Sequence, residues 1–316
     1  MPLPLIPVAM WVGAAALAAL GIKKGVDASD DFDRANRIGK DAEEDHKKAI
    51  KKLDKDRKKT QTDLEALGAL KVKVLTTQIK YLVDALKKGR GRIVGFEQTI
   101  SPDQLREYER HVKGSLEIQN GLASGAAGGA LAAMGAYGTV GAFATASTGA
   151  AISGLSGVAA TNATLAWLGG GALSAGGFGM AGGMVALGGI VLGPALAIGG
   201  FMMASKAEEA ITKARSYEAE VEVAVAEIKK VCVGLKAIRS NAAEQYNTIE
   251  RLVDAFEKVK VPDDADKAAF HRMYIIGKSL KEVLDVRIMG EDGQAISGLK
   301  AQYSGHMEVA GMEVNQ

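Results

Sequence analysis

The sequence predicts an all-α protein in which long helices form an elongated antiparallel coiled-coil stalk with a Gly/Ala-rich apolar helical head. Three observations predict it. Apolar residues recur at helical spacing through two highly charged flanks. Aromatic residues make up only 5% of the chain and prolines number six, unlike the many short β-branched runs of a sandwich or barrel. Between the flanks, Ile118 to Ser205 contains no Asp, Glu, Lys, Arg or His. That run is several times the roughly 20 apolar residues that cross a bilayer. The net charge of +2 and the 47% hydrophobic content hide this segregation.

Five segments follow in order. Residues 1–26 form an N-terminal apolar helix, with Pro2 to Ile22 apolar and Lys23 and Lys24 after it. No basic region precedes the apolar core, as a secretory signal would require. The favoured reading is an uncleaved anchor or buried helix, with a signal peptide as the alternative. Residues 27–117 are the first arm of the stalk. Ala49, Leu53, Leu64, Leu67, Val74, Leu75, Ile79, Leu82 and Leu86 supply its stripe, which Arg57 and Thr60 interrupt and which bends near Gly68. Gly89-Arg90-Gly91-Arg92 breaks the arm. A new helix then starts at Pro102, with Ser101 as cap and Gln104 as the reciprocal capping-box residue.

Residues 118–205 are the glycine-rich head. Gly121, Gly125 and Gly129 stand four apart, as do Gly179 and Gly183, and Gly189 and Gly193. In lipid such small-residue ridges let helix backbones approach closely. In water each glycine weakens a helix by up to about 1 kcal/mol relative to alanine. Leu165 to Met203 is the more apolar half, with Thr161-Asn162-Ala163-Thr164 as a turn before it. Both flanks are charged, so an even number of crossings, two or four, keeps them on one side. If the chain stays in its cell, Lys23 and Lys24 place that side in the cytoplasm, with a secreted or soluble-to-membrane form as the alternative. An anchor without a pore, a conditionally inserting or pore-forming block, and a buried soluble core are the competing readings of this head.

Residues 206–260 form the second arm. Tyr217, Val221, Ile228, Val231, Leu235, Ile238, Ile249, Leu252 and Phe256 keep a three-four alternation, with Gln245 the one polar member of the seam. This is a coiled-coil pattern, and the first arm folded back antiparallel is its expected partner. Residues 261–316 hold a further helix after Pro262. A turn signal at Asp292-Gly293 allows a small β-hairpin, and the chain reads as irregular from about Ser304.

Chemistry-bearing motifs are few. Gly177, Gly179 and Gly182 match a dinucleotide fingerprint by letter but lack its acidic residue. Gly277-Lys278-Ser279 resembles the end of a phosphate loop, but Arg272 stands where that loop needs glycine. His46, His111, His271 and His306 are scattered and suggest no metal site, and Cys232 reads as a packed, unreactive thiol. The basic stretch Lys47 to Lys59 reads as a solvated helix face, with anionic headgroups as the alternative ligand. Its lack of aromatic residues argues against nucleic acid. The sequence therefore implies no enzyme, no cofactor and no metal. The expected partners are a lipid bilayer, further copies of the chain and a protein docked on the stalk.

The order of apolar start, charged helix, Gly/Ala-rich block and charged helix resembles the α-helical pore-forming toxins of the cytolysin A and haemolysin B type. The resemblance is architectural and covers about Asp27 to Val259. The stretch from Ala160 to Gly171 is similar to a block in uncharacterised bacterial proteins. The glycine zipper resembles that of apolipoprotein-L-like membrane proteins. These resemblances imply membrane insertion and permeabilisation, as by a toxin or defence effector, and supply no catalytic residues.

Overall fold

A computed structural model of the chain describes residues 25–88, 100–122, 128–142, 207–261, 266–290 and 293–311. These residues are mainly helical, with no strand among them. The elements are α1 (Gly25–Val74), a π-helical turn (Leu75–Ile79), α2 (Lys80–Lys88), α3 (Pro102–Leu122), α4 (Gly128–Ala142), α5 (Ala207–Val259), α6 (Lys267–Asp285) and α7 (Leu299–Val309). The chain divides into two compact units. The first takes its described residues from 25–53 and 207–230, and the second takes the rest.

In the first unit α1 and α5 meet through two short apolar clusters. Ala35 clusters with Ala210 and Ala214, and Ala42 with Tyr217 and Val221. Residues further along α1 therefore meet residues further along α5, so the helices are parallel. The second unit shows the same direction by itself. Asp56 pairs with Arg239 at 3.6 Å, Gln78 donates to Glu257 at 2.7 Å, and Lys260 stands 4.4 Å from the ring centre of Tyr81. The antiparallel pairing expected from the sequence is thus corrected. An apolar repeat marks the buried stripe, and the stripe is the same whichever way the partner runs. Direction is set by the connection between the helices, and this one is long enough to bring the chain back.

The return is visible in α4. A Cβ on Gly68 would lie 2.0 Å from the Leu131 carbonyl oxygen, and one on Gly135 would lie 2.1 Å from that of Leu64. Residue numbers fall along α1 as they rise along α4, so α4 runs antiparallel to α1 with the two backbones touching. Gly68 lies within α1 rather than at a bend. The irregularity comes later, at the π turn, where Thr76 and Thr77 hydroxyls donate back to the carbonyls of Val72 and Lys73. Such back-bonding competes with the regular ladder.

The core of the second unit gathers Leu67, Leu75, Ile79 and Leu82 with Leu252, Phe256, Leu280 and Val283, all fully enclosed. Each such side chain contributes about 1.5–3 kcal/mol by leaving water. Leu131, Met134, Ala136 and Tyr137 of α4 belong to the same core. The first helix of the charge-free run is therefore packed among charged, amphipathic helices. Residues 123–127 and 143–205 of that run lie outside the described residues, as do residues 1–24 of the N-terminal apolar segment. No described helix is long and apolar enough to cross a membrane.

Local signals explain the helix ends. Gln104 N–H donates to Ser101 Oγ at 3.2 Å and Ser101 N–H to Gln104 Oε1 at 3.1 Å, a reciprocal capping box. Asp266 caps α6 by accepting from the backbone N–H of Ala268 and Ala269. After α6 the expected hairpin is reduced to one antiparallel bridge, Met289 to Ala295, around Gly293 at φ 75°. Asn241 of α5 ties its two sides by donating to the carbonyls of Ile288 and Ile296. The tail expected to be irregular from Ser304 is instead helical to Val309.

Candidate functional site

The second unit encloses a group of polar side chains where α1, α3, α4 and α6 converge. Its origin is a break in α4. Gly138 adopts φ 69°, ψ −166°, a region open essentially to glycine. The helix is interrupted there, so the carbonyls one turn earlier lose their intrahelical donors. Ala136 O accepts instead from the backbone N–H of Ile288 at 2.9 Å. Met134 O and Gly135 O accept from Lys71 Nζ at 3.2 and 3.3 Å. Lys71 thus closes the end of the helix segment, where the backbone dipole favours a cation. It is wholly buried. Burial lowers its pKa to about 7, against the opposing pull of Asp285.

On the other side of the break, the buried Thr139 hydroxyl donates to Asp285 Oδ1. Asp285 is the last residue of α6, and its Oδ2 forms an ion pair with Lys281, one turn earlier. Burial raises the Asp285 pKa, Lys281 acts to lower it, Glu107 pushes it up and Lys71 pulls it down. The Lys281 ammonium is itself enclosed, 5.1 Å from the centre of the Tyr108 ring. Burial raises the Tyr108 pKa, with Tyr274 and Glu282 adding to the effect. His111 lies one turn after Glu107 on α3. Burial, then the charges of Lys281 and Arg110, depress its imidazole pKa to about 3. Donor atoms of Glu107, His111 and Asp285 all lie within 4.8 Å of one another.

This arrangement fixes helices in place. Removing one partner of a buried ion pair costs about 3–5 kcal/mol, because the other charge stays enclosed. The nitrogen of Lys71 is shut in against two carbonyls, so it serves as a donor and is not exposed as a nucleophile. Gln245, buried in α5, has the same kind of role. Its Nε2 donates to the carbonyls of Val283 and Val286 at the end of α6.

Of the residues singled out in the sequence, Tyr217, Val221, Ile228, Leu235, Ile238, Ile249, Leu252 and Phe256 are buried on α5. Val231 is only partly buried, and Cys232 takes the enclosed position beside it. Gly121 lies in α3 and Gly129 in α4. Gly125, Gly179, Gly183, Gly189 and Gly193 lie outside the described residues. The glycines seen at close helix contacts are others: Gly68, Gly135, Gly138 and Gly277. The basic stretch of α1 is largely exposed and paired along its own helix, Lys47 with Glu43 and Arg57 with Asp54.

The polar group was missed in the sequence, although two signals for it are present. Lys71 follows Leu64 and Leu67 at seam spacing, where an apolar residue was due. Glu107 and His111 stand four apart on one helix face. Asp285 could be added only by the fold. Comparison of the chain with protein-family models, with curated proteins and with solved structures gave no match.

Proposed function

We propose that this protein inserts into a lipid bilayer through the part of its charge-free run that follows α4, assembles with further copies of itself, and opens a pore or otherwise perturbs the bilayer. One observation carries the reading. Ala35, near the start of α1, packs with Ala210 and Ala214, near the start of α5. The N-terminal apolar run joins the first of these helices, and the charge-free run joins the second. The helix starts to which both apolar segments are joined therefore lie at the same end of a parallel pair. An antiparallel pair would separate them by the length of a helix. Neighbouring helix starts, each continuing in sequence from an apolar segment, suit a single bilayer contact, and glycine at four-residue spacing suits close packing within it.

In this reading α4 is the root that ties the run to the helical core, and the charged helices stay in water on the cytoplasmic side. No enzymatic step is assigned. Release of a trapped dye from liposomes tests the proposal. The expected result is release that rises steeply with protein concentration, as oligomer assembly requires. Protein that binds the liposomes fully and releases nothing would remove the pore. It would leave a membrane scaffold or tether whose paired helices dock a protein partner.

A further inference from the structure

We propose that Glu107, His111 and Asp285 form a binding site for a divalent transition-metal ion of the zinc class. Their donor atoms all lie within 4.8 Å of one another. Three donors at about 2.0–2.2 Å from one ion stand roughly 3.3–3.6 Å apart, so side-chain rotations of about an ångström close the set. One imidazole nitrogen with two carboxylates is a donor set that zinc-class ions accept, leaving a further position for water. The backbone supplies the order. Glu107 and His111 sit one turn apart on α3, and Asp285 is held from α6. His111 is nine-tenths buried, while Glu107 and Asp285 are each partly exposed.

The Lys281 ammonium competes for this position, since it is paired with Asp285 Oδ2. An ion entering the site displaces it from that oxygen. Lys281 keeps a partner when this happens, because its nitrogen already faces the Tyr108 ring at 5.1 Å. Asp285 Oδ1 keeps the Thr139 hydroxyl, so an ion would bind α3 to α6 directly and strengthen their hold on α4. The inference does not depend on the membrane reading and is tested without lipid.

The test is titration of the metal-stripped full chain with Co²⁺, followed by its visible absorption, with a parallel thermal melt. The expected result is saturable binding with the spectrum of a mixed nitrogen–oxygen site, and a melting temperature that rises with Co²⁺. His111→Ala and Glu107→Gln should each weaken binding at least about tenfold. Simultaneous replacement of His46, His271 and His306 by alanine should leave it unchanged. Glu107→Gln keeps shape at a partly exposed position, so it decides the matter even if His111→Ala fails to fold. Wild-type protein without saturable binding, or Glu107→Gln binding Co²⁺ as tightly as wild type, would overturn the site.

Discussion

Lys71 is enclosed where α1 meets the break in α4, and the cost of enclosing it is measurable through pH. Its folded pKa of about 7 lies below the ordinary 10.5. Between those values the unfolded chain holds a proton that the folded chain does not, so stability rises with pH across that window. Below pH 7 both states are protonated and the full cost remains. Tyr108 and Tyr303 have raised pKa values and act in the opposite sense only above their ordinary value of 10.0. Urea unfolding between pH 7 and pH 10 should therefore show a gain on the order of a few kcal/mol in wild type. Lys71→Met should lack that gain. An equal gain in the variant would remove Lys71 as its source.

The close-contact glycines make a second prediction at this scale. Gly135→Ala places a methyl group 2.1 Å from a backbone oxygen, and Gly68→Ala is equally obstructed. Each should destabilise by about 1–3 kcal/mol or more, as overpacking does. Gly305 lies within α7 with open space where its Cβ would stand. Gly305→Ala should instead stabilise by up to about 1 kcal/mol through helix propensity. Denaturant midpoints read both signs. Equal effects at all three positions would refute the contact.

Between elements, the direction of α1 and α5 is the feature with most consequence. Spin labels at the exposed Arg34 and Glu209, with Cys232 replaced by alanine, test it inside the first unit. The parallel pair predicts a short distance between them. An antiparallel pair would put them roughly 60 Å apart, since about 40 helical residues at 1.5 Å each would intervene. A long distance would sink the fold described here. This element pairing also shows what the sequence can and cannot convey. The buried face of α5 was legible from its three-four alternation, because enclosed side chains must line one stripe. The one slip, from Val231 to Cys232, reflects two apolar neighbours of which only one can face inward. The Ser101–Gln104 cap was legible because capping is local chemistry. Helix direction was not, since no local feature encodes it. The site on α3 and α6 was only half legible, because Glu107 and His111 are sequence neighbours while Asp285 joins them across the fold.

For the whole molecule, the central question is which medium surrounds the two apolar runs. The packing of α4 with the core shows that absence of charge alone does not send a helix into lipid. What distinguishes the rest of the run is its length and its glycine spacing, and the parallel pair sets the start of α5, which follows it in sequence, beside the start of α1. The chain carries its own reporters for this claim. Trp11 and Trp167 are its two tryptophans, one in each apolar run. Their fluorescence should be measured with vesicles containing brominated lipids, with iodide as the aqueous quencher. Insertion predicts a blue-shifted emission that the brominated acyl chains quench and iodide does not reach. Emission indifferent to the bromine and open to iodide in the presence of vesicles would contradict the account.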